Sequence, residues 1–226
     1  MESPAFKRWF GDSRVVDERG EPQIVWHSSD AGPFDVFDRA RVVDVGFHFG
    51  TEAAARDLSS VGTARPFYLR IINPIELTDP GDWFTKRSYA TMRSIHDQLD
   101  EKGLLSRDQH ERIAALIEQS MAIRKATSFH SAAWRETRSE MSGLLRSILL
   151  AQGFDGVRYE NLVEGPGDIS WIAFDPQQIK SATANVGTYD PEDPSVLKNP
   201  RAEVRVNRRR TSRRRNSKGR RNSKRR

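Results

Sequence analysis

The hydrophobic pattern of the chain changes twice, and this change constrains the fold more than any other sequence feature. Near the start, β-rich runs occur in "SRVVDERGEPQIVWH", "VGFHFG" and "RPFYLRIINPIEL", the last of which is expected to end near Pro74. Near the end they recur in "GVRYE" and "SWIAFD". Residues 84–152 follow a helical period instead. Strands at both ends with helices between them predict an α+β domain.

Turn and capping signals predict where these elements begin and end. A hairpin is predicted around residues 18–20, and Thr51 can cap a short helix over "EAAARDLSS". Ser106 with Gln109 forms a capping-box pattern. Gly153 is expected to end the last helix, whose core-facing stripe comprises Met141, Leu144, Leu145, Ile148 and Leu149.

The C-terminal segment differs in charge from the rest of the chain. From Arg201 onward, 14 Lys and Arg residues stand against the single acid Glu203, a charge of +13. The preceding 200 residues hold 23 basic and 30 acidic residues, a charge of −7. A self-repelling segment with so few apolar residues is predicted to be disordered. We therefore predict a domain over residues 1–194, with a helical insertion at about 84–152, and a linker and disordered basic tail over residues 195–226.

The tail predicts association with nucleic acid, because clustered arginines neutralise phosphates without reading the base sequence. The residues expected to make these contacts are Arg208, Arg209, Arg210, Arg213, Arg214, Arg215, Arg220 and Arg221. The tail contains no aromatic residue, which argues against base stacking. The alternative is a tail that only solubilises the protein or docks on its own acidic domain.

Composition and motifs exclude several kinds of site. The chain has no cysteine, so it has neither disulfides nor a thiolate nucleophile. Its start lacks a signal-peptide pattern and no run is apolar enough to span a bilayer, which predicts a cytoplasmic protein without a membrane partner. Walker, Rossmann, HExxH, EF-hand and GxSxG patterns are absent, and the five histidines lack metal-site spacing. No metal is therefore expected.

The stretch "QIVWHSSD", residues 23–30, ends an apolar run with a histidine and two hydroxyl residues. His27, Ser28 and Ser29 can be ordinary polar residues at a strand end, or they can form the floor of a site for a polar ligand. These residues alone leave both interpretations open.

Four segments together resemble the ADP-ribosyltransferase-like domains of phage and mobile-element polyvalent proteins, distant relatives of poly-ADP-ribose polymerases and diphtheria-type toxins. They are "FKRWFGDSRVVDERGEPQIVWHSSD", "DVGFHFG", "FYLRIINPIEL" and "GFDGVRYENLVEGPGDISWIAFDPQQIKSATANVGTYDPEDP". The resemblance implies a split, bent antiparallel β-sheet that holds NAD as substrate in a cleft, where the nicotinamide glycosidic bond is broken. It also implies a phage-encoded protein located in the host cytoplasm or packaged in a virion.

In the polymerase-like branch of this superfamily, a His, a Tyr and a Glu lie on three strands. The resemblance matches His27 to the His, which hydrogen-bonds a ribose hydroxyl. Ser28 stands where Gly is usual, and Ser29 where Ser or Thr is usual. His48 stands at the Tyr position, where a ring stacks on the nicotinamide, and Phe49 follows it. The resemblance thus implies that these five residues bind NAD.

The Glu position falls on Ser170, which can hydrogen-bond a ribose but brings no charge to an oxocarbenium-like transition state. Asp168, two residues upstream, and Glu164, across the "GPG" turn, are expected to supply a carboxylate, with Glu160 as a third candidate. The predicted catalytic set is therefore His27, His48, Ser170, Asp168 and Glu164.

Other residues of the matching segments are expected to be structural. Three tryptophans are assigned to the core: Trp9, Trp26 and Trp171. Three residues of "FDVFD" are assigned to the layer beneath the cleft rim: Asp35, Phe37 and Asp38. Pro176 and Gln178 are expected to turn the chain after the last strand, and Lys180 to be exposed.

Two functions stay open. The first is a mono-ADP-ribosyltransferase that uses NAD to modify an unidentified protein or nucleic-acid acceptor, with the tail associating with nucleic acid. The second is a catalytically degenerate module that binds NAD, ADP-ribose or a partner. A pair of histidines also fits the RNA 2′-phosphotransferase branch, which is disfavoured because the arginines on which it relies are not evident in the sequence.

Overall fold

The computed structural model describes residues 3–30, 34–42, 44–57, 63–81, 88–126, 131–163, 165–185, 187 and 189–197. The α-helices are α1 (Pro4–Phe10), α2 (Glu52–Asp57), α3 (Ser88–Glu101), α4 (Arg107–Ala126) and α5 (Ala132–Ala151). The strands are β1 (Val25–Ser29), β2 (Phe47–Phe49), β3 (Thr63–Leu69), β4 (Pro74–Glu76), β5 (Gly156–Glu160), β6 (Ile169–Ala173) and β7 (Ile179–Ser181). Short 3₁₀ helices cover Arg39–Arg41 and Pro176–Gln178. The predicted α+β class is confirmed.

The strands form two open sheets, with the order β1-β3-β7 in the first and β2-β6-β5-β4 in the second. Their pairings are antiparallel, except that β4 runs parallel to β5. The sheets meet where Trp26 and Gly50 form an isolated bridge through two backbone hydrogen bonds of 2.9 and 3.0 Å. The predicted split sheet is confirmed, with the parallel pairing of β4 as a departure from a purely antiparallel arrangement.

The single strand predicted over "RPFYLRIINPIEL" is wrong, because this segment forms two strands in different sheets. β3 ends at Leu69, and Pro74 begins β4 instead of ending the preceding strand. Between them, the Asp155 carboxylate accepts hydrogen bonds of 2.8 Å from the backbone N–H groups of Ile72 and Asn73. These bonds satisfy backbone groups at the corner where the chain leaves one sheet for the other.

Local capping signals are confirmed. The Ser106 hydroxyl accepts from the Gln109 backbone N–H at 3.3 Å, and the Gln109 side chain accepts from the Ser106 N–H at 2.8 Å. Gly153 follows α5 with a φ of +87°, a conformation that favours glycine. The hairpin predicted around residues 18–20 is a tight turn, closed by a single bridge between Val16 and Pro22.

One hydrophobic core lies between the two sheets. Side chains alternate between the faces of a strand, so Phe47 and Phe49 of β2 point to the same side as Trp171 and Ala173 of β6. They pack against residues of the first sheet and its flanking loops, including Val15, Val25, Phe37, Phe67, Leu69, Ile71 and Ile179. Phe37 is buried as expected, whereas Asp35 and Asp38 are exposed.

A second core lies between the other face of the second sheet and the helices α3, α4 and α5. From the sheet it contains Val157, Tyr159 and Ile172. From α5 it contains Met141, Leu145, Ile148 and Leu149, with Leu144 packed at its edge, which confirms the predicted stripe. The helices therefore cover one face of the second sheet, the sheet that contains β2, and pack against the side chains on that face.

The α1 helix covers the outer face of the first sheet. Ser3 caps its start by accepting from the Phe6 N–H at 3.1 Å, and Phe6 and Trp9 pack with Tyr68 of β3. Trp9 and Trp171 are buried, as predicted, but Trp26 is only half-buried. The assignment of Trp26 to the core is wrong, since its side of β1 faces a cavity described below.

Lys180 is buried, with 1% of its surface exposed, so the expectation that it is exposed is wrong. Its Nζ donates to the backbone carbonyl of Ser195 at 2.9 Å and to that of Asp193. Burial lowers the pKa of Lys180 although Asp193 favours its charged form. Beyond Pro194, Ser195 forms a bridge with Val36, and Val196 is buried in the core between the sheets. The domain boundary near Pro194 stays a prediction, and the tail lies outside the described residues.

Gln178 turns the chain after β6, in agreement with the sequence. Its Oε1 accepts from the backbone N–H groups of Phe174 and Asp175, and its Nε2 donates to the carbonyls of Arg70 and Asp155. Among the helices of the described residues, none combines the length and the apolar character needed to cross a lipid bilayer.

Candidate active site at the junction of the two sheets

A cavity of about 490 Å³ opens where the bridge between β1 and β2 joins the two sheets. The residues predicted from the sequence that line it are His27, Ser28, Ser29, His48, Phe49 and Ser170. Residues that the sequence did not predict for the site also line it, among them Trp26, Arg41, Asp44, Trp134, Arg138, Tyr159 and Asn161. The fold thus brings six predicted residues from three strands to one cavity.

His27 is held in β1 by a backbone group of the neighbouring sheet. Its Nδ1 lies 2.8 Å from the carbonyl oxygen of His48, and its ring packs against Phe37 and Phe49 at centroid distances of 5.0 and 5.3 Å. Burial lowers the pKa of His27 to about 4. The ring is therefore neutral at pH 7, and the carbonyl acceptor requires the proton to sit on Nδ1. Nε2 then carries a lone pair that can accept a hydrogen bond from a ligand.

Ser28 and Ser29 continue β1 and pair with Ala64 and Thr63 of β3. Serine at the position of the usual glycine raises the question of backbone strain, which arises only where φ is positive. Among the described non-glycine residues, Tyr189 alone has a positive φ. Ser28 therefore lies in unstrained extended backbone, and its N–H and C=O groups keep the geometry of a strand.

His48 and Phe49 are neighbours in β2, so their side chains point to opposite faces of the second sheet. Phe49 points into the core between the sheets and contacts the His27 ring. His48 points toward the helices, where its Nε2 lies 3.6 Å from Oδ2 of Asp44. The two residues therefore line the cavity from different sides. Of the two, His48 is the one whose ring lies beside the Asp44 carboxylate.

Ser170 is buried in β6, and its Oγ accepts a hydrogen bond of 3.3 Å from Nδ2 of Asn161. The acids expected to compensate for the missing Glu are placed differently. Oδ2 of Asp168 accepts from the Thr51 hydroxyl at 2.7 Å at the start of α2, and Asp168 is not among the residues that line the cavity. Glu160 is exposed at the end of β5. Glu164 lies outside the described residues.

The buried acidic group that the structure brings to the cavity is Asp44, which the sequence reasoning missed. Asp44 and Arg138 are 3% and 2% exposed, and Nη2 of Arg138 lies 2.9 Å from Oδ2 of Asp44. Burial opposes ionisation of the carboxyl. The neighbouring His48 ring, the Arg138 guanidinium and a backbone N–H group outweigh this effect, so the pKa of Asp44 lies below its usual value.

A signal for this ion pair was present in the sequence. Arg138 falls on the apolar stripe of α5, since Trp134, Arg138, Met141 and Leu145 follow one another at steps of four, three and four residues. A charged residue on a core-facing stripe requires a buried partner. The identity of that partner depends on the tertiary structure, because Asp44 lies 94 residues away in a loop.

The family described as "ADP-Ribosyltransferase in polyvalent proteins" matches residues 17–189, which is more than half of the chain. The chain belongs to this ADP-ribosyltransferase family. The matched residues include β1, β2 and β6, which carry the predicted site, and also α3, α4 and α5. No curated protein and no solved structure matches the chain.

In this ADP-ribosyltransferase domain, the charges at the cavity are unevenly placed. Arg138 is buried beside Asp44, whereas Arg41 lies at the exposed rim, 3.6 Å from Asp38. Among the described residues there is no group of three or more His, Asp or Glu residues that could hold a metal ion. The cavity therefore offers a neutral imidazole, hydroxyl groups, aromatic faces and the carboxyl groups of Asp30 and Asp44 to a ligand.

Proposed function

We propose that this ADP-ribosyltransferase family member is an NAD-dependent mono-ADP-ribosyltransferase that modifies a protein or a nucleic acid. The observation that carries the proposal is the placement of His27. Its neutral ring is fixed through Nδ1 in a cavity that also contains Ser28, Ser29, His48, Phe49 and Ser170. A cavity of about 490 Å³ is within the range of sites that bind small molecules and cofactors.

Each group has a role that its chemistry permits. Nε2 of His27 accepts a hydrogen bond from a hydroxyl of the nicotinamide ribose, and the hydroxyl of Ser29 binds the same sugar. The backbone of Ser28 pairs with the nicotinamide carboxamide. His48 contacts the nicotinamide ring with its aromatic face. In the reaction the bond from ribose C1′ to the nicotinamide nitrogen breaks, and nicotinamide leaves with the electron pair. An acceptor oxygen or nitrogen bonds to C1′ and releases its proton to solvent.

The absence of a Glu at position 170 limits the reaction that we propose. Ser170 carries no charge, and its hydroxyl is engaged by Asn161. Transfer of a single ADP-ribose to an acceptor with its own nucleophile is therefore proposed, without elongation of a chain. Asp168, a sequence-predicted acid, accepts a hydrogen bond from Thr51 at the start of α2 and does not line the cavity.

The basic tail supports association with nucleic acid. The eight arginines predicted for this contact lie in a segment with a charge of +13, which favours phosphate binding without base recognition. We propose that the tail keeps the domain near a nucleic acid or a ribonucleoprotein that contains the acceptor. A phage-encoded protein acting in the host cytoplasm or packaged in the virion fits this arrangement.

A second function is favoured by the pair of Ser170 and Asn161. Where the polymerase-like branch has an ionised Glu, this domain has a neutral hydroxyl bonded to a neutral amide. A domain of this kind can hold NAD or ADP-ribose without breaking the glycosidic bond, since its ribose contacts do not depend on charge. The second candidate is thus a binding module with the same cleft.

The experiment that tests the first function is transfer of label from adenine-labelled NAD to macromolecules. The purified protein is incubated with a bacterial lysate and with added DNA or RNA, beside the variants His27→Ala and His110→Ala. His110 is the matched control, because it lies on α4, is 43% exposed and does not line the cavity. Label that is lost only in the His27 variant establishes transfer, and sensitivity to nuclease or protease identifies the class of acceptor. NAD binding without transfer supports the binding module. Absence of NAD binding contradicts the transferase, and absence of both NAD and ADP-ribose binding contradicts both functions.

A further inference from the structure

The helix α5 contacts the loop before β2 at two points. Nη2 of Arg138 donates to Oδ2 of Asp44 at 2.9 Å, and Nη1 of Arg146 donates to the backbone carbonyl of Val45 at 3.2 Å. The two arginines are eight residues apart, slightly more than two helical turns, so they lie on the same side of the helix. Helix α5 therefore fixes the two residues that lead into the β2 strand.

Within this arrangement the Asp44 carboxylate is held by both oxygens. Oδ1 accepts from the Val45 backbone N–H at 2.7 Å, and Oδ2 accepts from Arg138. The same Oδ2 lies 3.6 Å from Nε2 of His48, whose side chain is 11% exposed. The acid thus has little freedom to rotate, and it presents a fixed negative charge beside the His48 ring.

The surroundings of the ion pair indicate a role beyond stability. The adjoining core is apolar and includes Met141, Leu145, Tyr159 and Ile172. A buried ion pair in such a core contributes little that well-packed apolar residues would not also contribute, because desolvation offsets the attraction of the charges. Asp44 and Arg138 line the cavity together with His48 and Trp134, and the Trp134 ring lies 5.4 Å from the Arg138 guanidinium carbon.

We propose that Asp44 and Arg138 are positioning residues that hold the His48 ring in the nicotinamide part of the cleft. The proposal rests on the function proposed above, in which His48 contacts the nicotinamide ring. The Asp44 carboxylate, 3.6 Å from Nε2 of His48, attracts an N–H at that nitrogen and so favours one orientation of the ring, while Arg138 fixes Asp44 and balances its charge. The helical insertion is then part of the active site, because α5 supplies Arg138.

The test compares two ligands that differ by the nicotinamide. NAD and ADP-ribose are titrated calorimetrically into the full-length wild type, the single variants Asp44→Asn and Arg138→Gln, and the double variant. We expect the affinity for NAD to fall about tenfold in the variants, the upper end of what an aromatic contact contributes. The affinity for ADP-ribose is expected to stay within about twofold, because ADP-ribose does not reach His48.

Two controls separate positioning from folding. Arg112→Gln removes an exposed ion pair with Glu140 within the same helical layer, and it is expected to change neither affinity. The double variant removes both buried charges, so it leaves no uncompensated ion, and its thermal unfolding midpoint shows whether it is folded. The comparison of NAD with ADP-ribose in this folded variant decides the question.

Unchanged NAD affinity in the folded double variant overturns the positioning role and leaves the proposed function standing. An equal loss of affinity for NAD and for ADP-ribose overturns it as well, since the Asp44–Arg138 pair then maintains the cleft as a whole. Binding of ADP-ribose but not NAD by the wild type contradicts the nicotinamide contact of His48 on which the inference depends. Binding of neither ligand by the wild type contradicts the proposed function itself.

Discussion

Nδ1 of His27 donates to the carbonyl oxygen of His48 at 2.8 Å, and this bond joins the two sheets at the floor of the cavity. The bond determines the tautomer of His27, because a carbonyl can only accept. It also explains why a histidine ends the apolar run "QIVWH": one ring nitrogen bonds across the junction of the sheets, and the residue also lines the cavity. The same side chain therefore serves the junction of the sheets and the candidate site.

Protonation of His27 is expected to lower the stability of the fold. The pKa of His27 is lowered to about 4 from an ordinary value of 6.5. Between these values the unfolded chain binds the proton and the folded chain does not, so stability is full above pH 6.5 and falls as the pH drops toward 4. The loss is at most about 3 kcal/mol. We expect urea unfolding at pH 7 and pH 4 to show a smaller decrease for His27→Asn than for the wild type.

Asn at position 27 keeps a donor for the His48 carbonyl but does not titrate, which makes it a suitable probe of this effect. His110→Asn, at a partly exposed pair with Asp100, serves as the matched control. An identical decrease in the wild type and in His27→Asn would show that His27 is not the group responsible.

The effects of substituting Asp44 and Arg138 on the free energy of unfolding are expected to be strongly non-additive. Removal of one member leaves the other as an uncompensated buried charge, at a cost of about 3–5 kcal/mol. We expect Asp44→Asn and Arg138→Gln each to show this loss, and the double variant to lose much less than the sum. Urea unfolding of the three variants measures the coupling. Additive losses would indicate that the two charges do not interact in the folded protein.

Gly46 is required by a close approach of the chain to β6. A Cβ atom at Gly46 would lie 2.3 Å from the carbonyl oxygen of Ala173 and 2.7 Å from Cγ2 of Ile172. We expect Gly46→Ala to cost about 3 kcal/mol in the free energy of unfolding, because the β2–β6 pairing must shift. Gly143→Ala in α5 is the control: a Cβ there meets nothing within 4 Å, so a gain of about 0.5–1 kcal/mol is expected. Similar effects at both positions would contradict the packing described for β2.

Lys180 is expected to hold residues 189–197 against the first sheet. In Lys180→Met the carbonyls of Asp193 and Ser195 lose their buried donor, at a cost of about 1–3 kcal/mol. We expect faster amide hydrogen exchange over residues 189–197 in this variant, measured by mass spectrometry. Lys102→Met at an exposed turn should leave both stability and exchange unchanged. Unaltered exchange in Lys180→Met would show that other contacts, such as the burial of Val196, hold this segment.

The tail arginines are expected to determine nucleic-acid binding independently of the cleft. Replacing all eight with Gln should weaken binding to labelled DNA and bring the slope of log K against log salt closer to zero between about 50 and 200 mM salt. Affinity for NAD should not change. Fluorescence anisotropy measures the first quantity and calorimetry the second. Undiminished DNA binding by this variant would assign the contact to the folded domain.

Sequence reasoning was most successful where a short stretch of chain decides its own structure. The helices between residues 88 and 151, the capping box at Ser106 and the end of α5 at Gly153 depend on residues within a few positions of one another. The family resemblance supplied the candidate site residues, and the strands β1, β2 and β6 bring six of them to one cavity. Trp171 was assigned correctly to the core, whereas Phe49, predicted to bind NAD, also belongs to the core between the sheets.

The sequence by itself indicated the split into strand and helix regions and the histidine that interrupts the apolar run within β1. Only the tertiary structure decided which charged residues are buried and that the buried Asp44 lines the cleft. Lysine and arginine are residue types that are usually exposed. The burial of Lys180 depends on backbone carbonyls, and that of Arg138 on a carboxylate, contributed by other parts of the chain. The cost of burying a charge is offset only by such partners; the apolar stripe of α5 marks Arg138 as buried, but no local pattern identifies a partner 94 residues away.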